Sequence, residues 1–215
     1  KLLWIQDNKP ELFEQVAKVL LPASYLGYYL TGEFFMDMSD AAGTSWLDVG
    51  NRCWSEYALK ASNMRSDQMP KLLEGTQVAS SVSEFIADEL GIPSGVSVVA
   101  GAGDNAAAAC GVGITKEGQG FVSIGTSGVL LTARDTYTPL AHSAVHTFCH
   151  AIPKTWYQMG VILSATDSLN WLSSITGKSP KELSEGLGHK INGPSFEKFY
   201  PYLSGERTPL NDAHI

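Results

Sequence analysis

Two glycine loops lie close together in this chain and carry residue types able to do chemistry. The first is Gly101-Ala-Gly103-Asp104-Asn105, entered from the apolar run Val96–Ala100 and followed by four alanines. The second, Gly125-Thr126-Ser127-Gly128, sits between Phe121–Ile124 and Val129–Leu131. Eight of the 21 glycines fall between Gly101 and Gly128. That density suits backbone approaching a ligand, because an ordinary turn needs only one or two glycines.

In the first loop Asp104 stands where a buried strand over 96–100 ends and a helix begins. The free N–H groups and positive dipole end of a helix favour an ionised carboxylate there. Such a group, partly exposed at a strand's C-terminal end, is suited to take a proton from a substrate hydroxyl. Aspartate is equally a good helix cap, so base and cap both stand open. Gly101-Ala-Gly103-Asp-Asn-Ala106 also fits the relaxed GxGxxA dinucleotide fingerprint. Against that reading, an aspartate inside the loop would repel a pyrophosphate, and the helix is short before Gly111 and Gly113.

The second loop has the form strand, Gly-Thr-Ser-Gly, strand, which predicts a hairpin. Its consecutive N–H groups, with the hydroxyls of Thr126 and Ser127, can form a nest for a phosphate. A plain β-turn with glycine at a positive-φ position is the alternative.

The elements that must position these loops alternate between helices and strands, giving a mixed α/β class. Helices are expected over 10–21, 25–30, 55–61, 81–90, 168–175 and 180–187, and strands over 121–124, 142–150 and 156–161. Residues 34–50 read as irregular, with Ser39-Asp40-Ala-Ala-Gly43-Thr44 resembling a functional loop. The polar joint Lys116-Glu-Gly-Gln-Gly120 is the expected domain boundary. Trp4, Trp46 and Trp54 are expected to pack in cores or between domains. His142, His146 and His150 recur every four residues, but in a Val/Thr/Phe-rich strand without nearby acids, so no metal site is expected.

Composition excludes several classes. A net charge of −7 with no basic cluster argues against nucleic acid, and no apolar run approaches a membrane span. Cys53, Cys110 and Cys149 have no metal-like spacing and fit reduced cysteines of a cytoplasmic protein, Cys110 being expected in the core.

Several segments resemble one family. Lys1-Leu-Leu-Trp4-Ile-Gln-Asp7-Asn8 is similar to the second half of a signature of the FGGY carbohydrate kinases. Gly101–Asn105 resembles that family's catalytic aspartate loop, and Gly125–Gly128 its second phosphate loop. Asp37–Asp48, Ser143–His150 and Tyr202–Pro209 resemble the branch acting on xylulose.

The resemblance implies an actin-like ATPase (ribonuclease H-like) α/β fold. Residues 1–117 would close a first, sugar-binding domain and 118–215 would begin a second, nucleotide-binding one, both loops facing a shared cleft. It implies ATP-dependent phosphorylation of a ketopentose, D-xylulose above all. Asp104 would be the general base, Asn105 would join it on the sugar, and Gly125, Thr126 and Ser127 would cradle the nucleotide phosphates. Thr166 and Asn170 would approach the nucleotide, Mg2+ would be held mainly by its phosphates, and no protein metal site is implied.

Arg207 is a cleft residue or the ion-pair partner of Glu206. A homodimer is left open. The chain also resembles an internal part of a longer protein, and the 215 residues alone are expected to be inactive. A kinase of the same family acting on another sugar or polyol, a dinucleotide-binding oxidoreductase built on the Gly101 loop and a non-catalytic ATP-binding scaffold are the competing readings.

Overall fold

The computed structural model describes residues 1–190, 193 and 195–215. Contacts divide the chain into two compact units. The first comprises Lys1–Gln119, Ala133–Tyr137 and Thr147–Tyr157, and the second Gly120–Thr132, Thr138–His146 and Gln158–Ile215.

The first unit opens with α1 (Leu2–Asn8) and α2 (Pro10–Glu14). The apolar spacing over 10–21 predicts one long helix, yet α2 stops after five residues. The chain beyond it is taken by Gln68, whose Nε2 donates to the Val16 carbonyl at 2.8 Å and whose carbonyl accepts from Val19 N–H at 3.0 Å. Tertiary hydrogen bonds thus override the local pattern. Helix α3 (Pro22–Thr31) follows, with proline in its first turn and left-handed Gly32 at its end.

Residues 34–50, expected to be irregular, are ordered and largely buried. Strand β1 (Phe35–Asp37) runs straight into α4 (Met38–Ala42), and β2 (Leu47–Asp48) pairs antiparallel with β3 (Cys53–Trp54). Met36, Met38, Ala41, Ala42, Leu47 and Cys149 form one core cluster. Small alanines let α4 sit close against its neighbours, which hides the helix from a reading by hydrophobic period.

Helix α5 (Glu56–Ala61) is capped by Ser55, and β4 (Lys71–Leu73) pairs parallel with β1. Strand β5 (Val78–Ser81) precedes α6 (Glu84–Leu90), which Ser83 caps and left-handed Gly91 ends. Strand β6 (Ser97–Val99) pairs antiparallel with β5 and leads to α7 (Asp104–Gly111).

Three expectations of burial fail in this unit. Val96 and Val99 are 43% and 50% exposed, so the strand before Gly101 is short and solvent-facing. Trp4 is 61% exposed, whereas Trp46 and Trp54 are tied by their indole N–H groups to Ser62 Oγ and the Pro70 carbonyl. Cys110 is half-buried and Cys149 is the core cysteine.

In the second unit β7 (Gly120–Ile124) and the start of β8 (Gly128–Arg134) form an antiparallel hairpin with Ile124 opposite Gly128. The sheet order is β7-β8-β10-β9, where β9 (His146–Cys149) and β10 (Trp156–Ile162) include residues of the first unit, Thr147–Cys149 and Trp156–Tyr157. The extended run expected from His142 starts only at His146, because Ala141–Ser143 coil into a 3-10 turn and Ala144 is left-handed, φ 52°. Helix α8 (Thr166–Thr176) ends at left-handed Gly177, and α9 (Pro180–Glu185) begins with a reciprocal Ser179–Glu182 cap. Among the described residues no helix is long and apolar enough to cross a membrane.

Candidate active site

Asp104 is the first residue of α7, so the cap position belongs to Gly103, which has no side chain to offer. The helix-cap reading of Asp104 is therefore corrected: it stands inside the first turn. Its exposed carboxylate accepts through Oδ1 from the Asn105 N–H at 2.7 Å and from Asn105 Nδ2 at 3.0 Å. Oδ2 has no partner among the described residues. The two bonds orient Asp104 and Asn105 together, leaving one carboxylate oxygen available to a ligand.

The loop beneath Asp104 is held from two sides. The Gly103 N–H donates to Ser39 Oγ at 2.9 Å, and the Ser39 hydroxyl donates to Asp37 Oδ1 in a short bond. Asp37, 3% exposed, also accepts from the N–H groups of Ser39 and Asp40 at 2.8 and 3.0 Å. One buried carboxylate thus caps α4 and fixes the start of α7. On the other side the Gly101 N–H donates to the Gly75 carbonyl at 3.1 Å, with Gly101 left-handed at φ 81°. A Cβ on Gly75 would lie 2.7 Å from the carbonyl oxygens of both Gly101 and Ala151.

Charge accumulates here. Burial, then the negative charges of Asp37 and Asp104, push the Asp40 carboxyl above its ordinary value. Asp40 lies against Gly103, where an added Cβ would sit 3.5 Å from its Cα and Oδ1. The buried Tyr157 hydroxyl is pushed far above the usual phenol range, first by burial and then by Asp104, so it stays a neutral donor. Ser39 and Asp40 stand in the segment read as a functional loop, and Asp37 in the family-like run, but none of them was assigned a role, and Gly75 and Tyr157 were not singled out from sequence. The Asp37-x-Ser39-Asp40 pattern ahead of small residues is a capping signal that could have flagged the first three.

The second unit gathers the other candidates. In the hairpin turn the Gly125 N–H donates to the Ser127 carbonyl at 2.9 Å. The Gly125 carbonyl accepts from the Thr166 N–H at 3.0 Å and from Thr166 Oγ1 at 2.8 Å, and the Thr126 carbonyl from the Ala165 N–H at 2.8 Å. The loop's carbonyls are thereby turned into α8. The N–H groups of Thr126 and Ser127 have no partner among the described residues, as a nest for an anion requires. The plain-turn alternative needs a positive-φ glycine, and neither Gly125 nor Gly128 adopts one. Gly128 is constrained by space instead: a Cβ there would lie 2.8 Å from Ile162 Cγ1.

Thr166 spends its hydroxyl on the Gly125 carbonyl, so it supports the loop. Asn170, one turn further along α8, is exposed. Arg207 lines another cavity with His142 and His146. Its ion pair with Glu206 does not form: Glu206 is buried and its Oε1 accepts from the N–H groups of Leu163 and Arg207 at 3.1 and 2.7 Å. Among the described residues no three His, Cys, Asp or Glu side chains converge so as to hold a metal ion. The strand entering the Gly101 loop pairs antiparallel with β5, so the loop does not belong to the parallel βαβ unit a dinucleotide fingerprint requires.

The first unit thus carries an exposed carboxylate fixed on a helix start, and the second a hairpin turn with unpartnered N–H groups among the described residues. The profile of the FGGY family of carbohydrate kinases, N-terminal domain, matches residues 1–111, and the chain belongs to that family. Its fold is the family's mixed α/β, actin-like ATPase fold.

Over 213 residues it is 46% identical to the xylulose kinase of Escherichia coli (strain K12), covering 99% of this chain and 44% of that protein. The crystal structure of a xyloylose kinase from Brucella ovis superposes with a TM-score of 0.96 at 51% identity, over 100% of this chain and 44% of that one. A gluconate kinase from Lactobacillus acidophilus superposes with a TM-score of 0.86 at 28% identity, over 99% of this chain and 44% of that one. The chain spans less than half the length of these relatives.

Proposed function

We propose that the full-length protein transfers the γ-phosphoryl group of ATP to a hydroxyl of a ketopentose, D-xylulose in the first instance. Residues 1–117 are the C-terminal part of its sugar-binding domain and 118–215 the N-terminal part of its nucleotide-binding domain. In the reaction the sugar hydroxyl gives its proton to the Asp104 carboxylate as its oxygen attacks the γ-phosphorus. The bond to the ADP oxygen breaks as the new one forms. Asn105 holds the sugar beside Asp104, and the N–H groups and hydroxyls of the Gly125-Thr126-Ser127 turn take the nucleotide phosphates. Thr166 keeps that turn in place, and Asn170 reaches the nucleotide from the same helix.

The observation that carries the reading is the Asp104 carboxylate, with Oδ1 tied to Asn105 and Oδ2 open, on a loop pinned through Ser39 to buried Asp37. Phosphoryl transfer asks for positioning more than for covalent chemistry, and a pinned base supplies positioning. Mg2+, when bound, neutralises phosphate charge. The ion would be carried mainly by the nucleotide's phosphates. The three unpaired cysteines suit a cytoplasmic location.

The similarity to named xylulose kinases favours the ketopentose, while the gluconate kinase of like fold makes the sugar the point to test. ADP release by the full-length protein should rise several-fold with D-xylulose and less with gluconate. Sugar-independent release would instead favour an ATP-binding scaffold.

A further inference from the structure

The second unit holds a cavity of about 440 Å³ that the phosphoryl-transfer reading does not use. Its polar side chains are Arg207, His142, His146 and Asn211, and no Asp or Glu lines it. The Arg207 side chain has no hydrogen-bond or carboxylate partner among the described residues. Glu206 points its carboxylate at backbone N–H groups instead.

The Arg207 backbone is nonetheless fixed. Its carbonyl accepts from the Asn211 N–H at 2.5 Å, and next to it Thr208 exchanges bonds with Val161 through N–H and Oγ1, each at 3.0 Å. Thr208 Oγ1 also donates to the Ala144 carbonyl at 3.2 Å, tying the turn that carries Arg207 to the one between His142 and His146. Two anchored turns therefore present a guanidinium, two imidazoles and an amide to one space.

We propose that this cavity binds a phosphate monoester dianion, the group shared by a sugar phosphate and a nucleotide. A guanidinium fork matches phosphate oxygens, and the two imidazoles supply further donors whose protonation adjusts the local charge to a dianion. In support, burial and then the Arg207 charge hold the His146 imidazole below its ordinary pKa. A dianion between the two groups would reverse the second effect. Arg207 acts on His146 directly, and His142 lines the same cavity. The inference stands apart from the kinase reading, since neither its probe nor its readout depends on turnover.

The test follows the imidazole signals of the full-length protein by NMR, with His146 assigned through His146→Gln, while inorganic phosphate, a pentose 5-phosphate and a non-hydrolysable ATP analogue are added in turn. The expected result is a saturable rise of the His146 pKa by about 1 unit, the size an adjacent opposite charge produces. Arg207→Gln should abolish it and Arg207→Lys retain part of it, with unchanged melting temperatures. Whichever organic phosphate acts at the lower concentration identifies the source. A shift with inorganic phosphate alone, an adventitious ion only, would overturn the proposal. So would no shift, or an equal shift in Arg207→Gln.

Discussion

Ser39 Oγ accepts the Gly103 N–H at 2.9 Å across 64 residues of sequence, and so joins a buried capping helix to the residue preceding the candidate base. Asp37 completes the relay by accepting a hydrogen bond from the Ser39 hydroxyl. The position of Asp104 is thus set from behind by residues that never meet the substrate.

Ser39→Ala removes the acceptor of Gly103 and leaves a part-buried N–H unsatisfied. It should cost about 1–3 kcal/mol of stability, the usual penalty for such a group. In the full-length enzyme kcat should fall with little change in ATP affinity. Ser39→Thr, which keeps the hydroxyl, should recover part of the loss. Thermal melts and steady-state kinetics check this, and an Ala variant with wild-type kcat would contradict the positioning role.

Gly75→Ala should be worse than most glycine substitutions. The added methyl would meet two carbonyl oxygens at 2.7 Å, and backbone cannot rotate away as a side chain can. A loss of about 1–3 kcal/mol is expected for overpacking of this kind, together with displacement of the Gly101 loop. Gly111→Ala, where a Cβ meets nothing within 4 Å, is the control and should be neutral or mildly stabilising. Equal melting temperatures for the two variants would contradict the account.

The raised carboxyl of Asp40 fixes a sign. Its folded-state pKa exceeds the unfolded one, so the folded protein loses stability as pH rises through the folded value, and Asp40 is a net cost at neutral pH. Asp40→Asn should therefore stabilise at pH 7, by no more than about 1 kcal/mol because the group is half exposed and solvent-screened. The advantage should vanish as pH falls through the folded pKa towards the ordinary aspartate value. Melts at pH 7 and near pH 4 test this, and an advantage that persists in acid would refute the assignment to charge.

Much of the fold could be read from local signals. Gly91 and Gly177 end their helices in the left-handed conformation their positions suggested, and the Gly125–Gly128 loop closes the expected hairpin. What escaped depends on distant partners. Helix α2 stops early because Gln68 claims the following backbone. Helix α4 is buried without a hydrophobic period because alanines and a capping aspartate build it. The candidate site divides the same way. Asp104, Asn105 and the Thr126 turn stand in glycine-rich motifs, whereas Ser39, Asp40 and Tyr157 become neighbours of Asp104 only through folding.

Thr126→Val should separate the two ligands. It removes a hydroxyl from the phosphate turn while leaving the Asp104 loop untouched, so ATP affinity should drop about 5- to 10-fold, the value of one hydrogen bond. Sugar affinity should barely change. Calorimetric titrations of the full-length enzyme decide it, and equal losses for both ligands would show that the turn has no separate role.

The central claim is tested most directly by kcat of Asp104→Asn in the full-length enzyme. Asparagine keeps the shape and one acceptor oxygen for Asn105 but cannot take the proton of a sugar hydroxyl. Loss of a positioned general base should lower kcat by about 10²- to 10⁴-fold, with melting temperature and ATP affinity close to wild type. Near-normal turnover in a well-folded Asp104→Asn variant would contradict the account.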